Sequence, residues 1–100
     1  MIIGTVVQQP GDTLDYDILY EPFFYSYAIN GVIDDIKLDG LSITVSPEGV
    51  TSEVIRLDNN NAKVWLSGGV SGVTYKVTIT MESTNNRIKE DEILMIVEEF

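Results

Sequence analysis

The chain has 100 residues, 44% of them apolar, with sixteen acidic against six basic residues and a formal charge of -10. That is apolar matter for one core and too little length for two, while an acidic surface without a lysine or arginine cluster repels phosphate backbones and anionic bilayers, which argues against nucleic acid or membrane as partner. With no histidine and no cysteine, the common zinc ligands, the thiol nucleophile, disulfides and the usual neutral-pH general base are missing, so the composition points away from catalysis.

The opening MIIGTVVQQPGD lacks the positive start of a signal peptide, and its apolar letters are interrupted by Gly4 and Thr5, so it reads as neither a leader nor a membrane span. The expected product is made in a cytoplasm. Residues 1–10 are expected to form an N-terminal strand or arm, extended from Ile2 to Gln8, and residues 11–100 a single domain. After the Pro10-Gly11-Asp12 turn, Leu14, Tyr16 and Ile18 fall on one face of a second strand, Leu14 to Tyr20. Glu21 to Tyr27, short and led by Pro22, suits one helical turn beside a sheet or a loop over its open end. Within it, Phe23, Phe24, Tyr25 and Tyr27 either fill one end of the core or face outward as a patch for a partner or a sugar.

Asn30-Gly31 is a turn signal, and strands are expected at Ile36 to Val45 and, past Ser46-Pro47-Glu48-Gly49, at Val50 to Leu57. Asp58-Asn59-Asn60-Asn61 reads as a tight turn. This tract, like Asp12, Asp15 and Asp17, offers oxygen ligands to calcium. Neither has the alternating acids, central glycine and distal glutamate of an EF-hand, and no metal or other cofactor is expected.

In the strand Ala62 to Ser67, Lys63, Trp65 and Ser67 lie opposite Ala62, Val64 and Leu66. Trp65 is therefore exposed, covered by a loop, or a core plug if both faces are covered, and it is a candidate interface residue. Gly68-Gly69-Val70-Ser71-Gly72 lacks the lysine and following hydroxyl of a phosphate loop and sits between two strand-like runs. It is expected to be a hairpin connection in which Gly68, Gly69 and Gly72 supply positive φ angles. Beyond it, Val73, Tyr75, Val77, Ile79 and Met81 alternate with Thr74, Lys76, Thr78, Thr80 and Glu82, the pattern of a half-buried antiparallel strand. Ser83 to Asn86 is a turn. Ile93 to Val97, preceded by Lys89-Glu90-Asp91-Glu92, is expected to be a last strand whose charges keep a sheet edge from pairing. About seven short strands at this spacing, with little or no helix, predict an all-β antiparallel sandwich. No hydrolase motif is present, and paired carboxylates cannot be placed from sequence.

One further signal is a resemblance. Leu14-Asp15-Tyr16, then Val64, Trp65, Leu66, Ser67, Gly68, Gly69, Gly72, Tyr75, Val77 and Thr78, and more loosely Arg87 and Glu90, are similar to small tailed-bacteriophage structural proteins with a TVWLSGG-x-x-G-x-x-Y-x-V-T signature, the phage fibre-tail adaptor or virion structural proteins. The chain departs from that pattern at Leu19-Tyr20, where an Asp-Trp pair is expected, at Asn86, where a glycine precedes the arginine, and over residues 21–45. The resemblance implies an Ig-like β-sandwich, non-enzymatic, present in multiple copies in a symmetric virion assembly and touching tail, fibre or capsid proteins. A capsid decoration protein and a carbohydrate-binding module that stacks sugars on Trp65 or on the Phe23 to Tyr27 aromatics are the alternatives.

Overall fold

A computed structural model of the chain describes residues 2–26 and 34–100. Tyr27 and the Asn30-Gly31 turn lie outside the described residues, as does the side chain of Tyr25. In chain order the elements are β1 (Ile2–Gln8), β2 (Thr13–Leu19), α1 (Glu21–Ser26), β3 (Ile36–Ser46), β4 (Val50–Arg56), β5 (Asn61–Gly68), β6 (Thr74–Ser83) and β7 (Ile88–Val97).

The strands form two sheets, one ordered β1-β7-β6-β3 and the other β2-β5-β4. Period-two alternation aims one face of each at the other. Tyr75, Val77, Ile79 and Met81 of β6 and Ile93, Met95 and Val97 of β7 meet Ala62, Val64 and Leu66 of β5, and all ten are buried. Lettered A to G, the sheets are A-G-F-C and B-E-D, the immunoglobulin-like layout with strand A beside G. All pairs are antiparallel except β1 with β7, which is parallel.

Two expectations about connection and pairing are corrected. The glycine segment does not close a hairpin, because β5 and β6 belong to different sheets and the segment carries the chain across the sandwich. The final strand is not an edge. It begins at Ile88, takes in the charged run, and lies between β1 and β6. Its inward Asp91 is only 2% exposed, tolerable because Lys89 Nζ reaches its Oδ1 at 2.8 Å, while outward Glu92 meets Lys76 at 3.3 Å.

The crossing is held by a tyrosine corner. Gly68, Gly69 and Gly72 have φ of 84°, 96° and 89°, and Tyr75, at the start of β6, accepts the Val70 amide on its hydroxyl at 2.9 Å. Gly69 donates to the Gly49 carbonyl at 3.0 Å and Gly72 to that of Val97 at 2.8 Å, tying the corner to the β3–β4 turn and to the end of β7. A Cβ on Gly69 would stand 2.8 Å from Val97 Cγ2 and 3.1 Å from the Tyr75 ring, whereas one on Gly72 would meet open space.

Gly69→Ala is therefore expected to lower stability by about 3 kcal/mol, combining overpacking with left-handed strain. Gly72→Ala, strained without a clash, should cost about 1 kcal/mol, and Tyr75→Phe about 1–2 kcal/mol through the orphaned Val70 amide. Urea denaturation midpoints check the order of the three.

Candidate functional site

The outer face of the three-stranded sheet carries the most distinctive surface chemistry. Because β5 pairs with both neighbours in continuous register, its outward residues head three rows across the sheet: Thr13–Ser67–Thr51, Asp15–Trp65–Glu53 and Asp17–Lys63–Ile55. Trp65 is half-buried on the central strand, absent from the hydrophobic core. A shallow concavity of about 200 Å³ opens over the first two rows, lined by Thr13, Thr51, Glu53, Trp65 and Ser67.

Lys63 neutralises one side of this face. Its Nζ lies 2.8 Å from Asp15 Oδ2 and 3.6 Å from Asp17 Oδ1. The hydrogen bond to Lys63 lowers the Asp15 carboxyl pKa, and the same bond raises that of Lys63. An exposed pair of this kind orders side chains more than it stabilises the fold. Glu53, on the other flank of Trp65, has no ion pair among the described residues.

The remaining sequence candidates are distributed over the structure rather than gathered here. Phe24 is 6% exposed and belongs to the core, against the reading of it as an outward patch; it packs with Tyr20 and Phe23, whose ring lies under Lys89 Nζ at 5.4 Å. α1 thus closes one end of the sandwich. Tyr20 fills the place where an Asp-Trp pair was expected, and burial, followed by the charge of Asp91, pushes its hydroxyl pKa up. Leu14 faces Leu66 across the ladder, and Tyr16 donates its hydroxyl to Gln8 Oε1 at 2.8 Å while Gln8 Nε2 donates to the Leu66 carbonyl at 3.2 Å. This bridge stitches β1 to both β2 and β5. Glu90 is exposed on β7 opposite Thr80.

Arg87 follows Asn86, which has φ 62°, so asparagine, the side chain that best tolerates the left-handed region, takes the place of the expected glycine. Arg87 Nε stands 3.8 Å from the buried Asp34 carboxylate. Burial pushes the Asp34 pKa up, but the Ser83 and Thr84 side chains and the Asn85 and Asp35 amides donate to the carboxylate, and together they hold it below the ordinary value. Asp58 is used in the same manner, capping the β4–β5 turn through the amides of Asn60 and Asn61. Among the described residues no group of three or more histidines, cysteines or acids could hold a metal ion, and no helix is long and apolar enough to cross a membrane.

Compared with known protein families, residues 8–96 match the podophage GP4 fiber-tail adaptor protein gp77 family. The chain belongs to that family. Comparison with curated proteins gives no match. As a fiber-tail adaptor family member the chain has a structural role in a bacteriophage virion. The family span runs from the end of β1 to the penultimate residue of β7 and so contains both the corner and the Trp65 face.

What sequence reasoning missed is Glu53 with Thr51 and Thr13. Alternation in β4 sorts Val50, Ser52, Val54 and Arg56 from Thr51, Glu53 and Ile55, two sets of nearly equal polarity, so neither declares itself the outer face. Only the register with β5 sets Glu53 beside the indole.

The Asp34 clamp predicts a pH signature. Its folded pKa lies below the unfolded value of 3.8, so its contribution is complete well above that value and is lost as pH falls through the folded pKa. Asp34→Ala should cost about 2 kcal/mol at neutral pH, and the gap to the parent should narrow below about pH 4. Urea midpoints recorded across the acid range test this.

Proposed function

We propose that the chain is a non-enzymatic adaptor on a podophage tail, present in several copies around a symmetric assembly and binding neighbouring virion proteins through strand edges and outward faces. The family match over residues 8–96 carries the reading. The fold supplies what such a role requires. Principal extents of 50 × 20 × 18 Å make the chain a short rod whose two ends can serve different neighbours. Among the described residues each sheet leaves two edge strands, β1 and β3 in one and β2 and β4 in the other.

Those edges differ in how they are guarded. β2 carries Asp15 and Asp17, β4 carries Glu53, and β3 breaks register between Ile36 and Leu41, all devices that discourage casual pairing. β1 has no charged residue from Ile2 to Gln8 and exposes Ile2, Ile3 and Val7. An uncharged edge is the natural place for a neighbour to add a strand. A role as capsid decoration would use the same surfaces at a different address.

Gold labelling of an engineered tag on this chain in intact particles, read by electron microscopy, separates the two. Label at the tail, repeated about its axis, is the expected result. Label spread over the head would move the role to the capsid, and particles without label would remove it from the virion.

A further inference from the structure

Trp65 is left over by the fold. Its chain neighbours Val64 and Leu66 fill the core, and Gly68, Gly69, Gly72 and Tyr75 build the corner. The indole itself stacks on no ring, and its N–H donates to no group among the described residues. It stands between two carboxylates in register, Asp15, already engaged by Lys63, and Glu53, which pairs with no cation among the described residues. A large apolar ring beside an unneutralised carboxylate, on a chain of net charge -10, is complementary to a flat cation.

We propose that this face docks an extended, arginine-bearing segment of a neighbouring protein, with the guanidinium over the Trp65 ring and paired to Glu53. Arginine suits the geometry better than lysine because its planar group stacks on an aromatic face and presents a fork of donors to a carboxylate at the same time. An extended segment fits because alternate side chains of a strand repeat about every 7 Å, the spacing at which one row of this face follows the next. Arginine over the Trp65 row then sets the next side chain over the hydroxyls of Thr13, Ser67 and Thr51. On the other side Lys63 already engages Asp15 and Asp17, so its row offers no free carboxylate to a second cation, which fixes the register. That the segment belongs to a virion protein rests on the adaptor reading, whereas the chemistry of the face does not.

Trp65 is the single tryptophan, so its fluorescence reports on the site directly. The full chain is titrated with a short acetylated peptide carrying a single central arginine among threonines, with its lysine counterpart, and with maltohexaose. A saturable change is expected with the arginine peptide, about threefold weaker with the lysine peptide. Glu53→Gln should weaken it by about threefold, whereas Glu98→Gln, the same change in net charge on the exposed C-terminal tail, should leave it unchanged. Trp65→Ala, followed by nuclear magnetic resonance shifts, should abolish the interaction in a chain that stays folded.

Equal affinity for the arginine and lysine peptides, or equal losses in the two glutamate variants, would reduce the effect to general charge attraction and overturn the proposal. So would maltohexaose saturating the site when the arginine peptide does not. Failure here leaves tail labelling of particles intact, while a chain that binds the peptide but is missing from particles would sink the adaptor reading alone.

Discussion

The hydroxyl of Tyr75 and the missing side chain of Gly69 form one constraint on which the sandwich depends. The chain must leave the three-stranded sheet at the end of β5 and enter the middle of the four-stranded sheet at β6, and it does so in a loop whose carbonyls and amides would otherwise be stranded over the core. Tyr75 accepts the Val70 amide, Gly69 reaches Gly49, and Gly72 with Val73 binds both polar groups of Val97. Three turns or strand ends are thereby locked to a side chain rooted in the core. Any bulk at Gly69 presses on Tyr75 and Val97 together, so the corner and the core fail jointly.

Once the corner is assigned a structural duty, the most conspicuous motif of the sequence stops being a candidate binding loop. Under the proposed function, the chemistry left for partners lies on surfaces, in the edges of the sheets and the outward face of β5. This agrees with membership of a fiber-tail adaptor family, since an adaptor works by being held in place. Three interior polar contacts follow the same economy, although Tyr20 Oη and Asp34 Oδ2 stay without a hydrogen-bond partner among the described residues. Lys89 with Asp91, Asp34 with the β6–β7 turn, and Tyr16 with Gln8 each satisfy a buried group while fastening one element to another.

Much of the fold was legible because alternation is strict where one face is dry. Val73 to Met81 could be read as a strand from spacing alone, and the structure buries Tyr75, Val77, Ile79 and Met81. The connection between β5 and β6 was not legible, since a glycine loop with positive φ serves equally well inside one sheet or between two. The central place of the last strand is hidden in the sequence for a different reason. Lys89 and Asp91 look like surface charge until it is seen that they neutralise each other at 2.8 Å, with Lys89 Nζ over the Phe23 ring. Trp65 could be assigned to a face from its own strand, but Glu53 could not, because its place depends on pairing between segments whose polarity is balanced.

The glycine segment is a rigid structural corner, and the proposed function leaves the outward faces to partners. Native-state hydrogen exchange at the Val70 amide reads that rigidity, because Tyr75 Oη accepts this hydrogen at 2.9 Å. Protection close to that of the core strands, released only when the whole domain unfolds, is expected. Exchange at the rate of an open loop, with β6 still protected, would mean that the glycine segment is no corner.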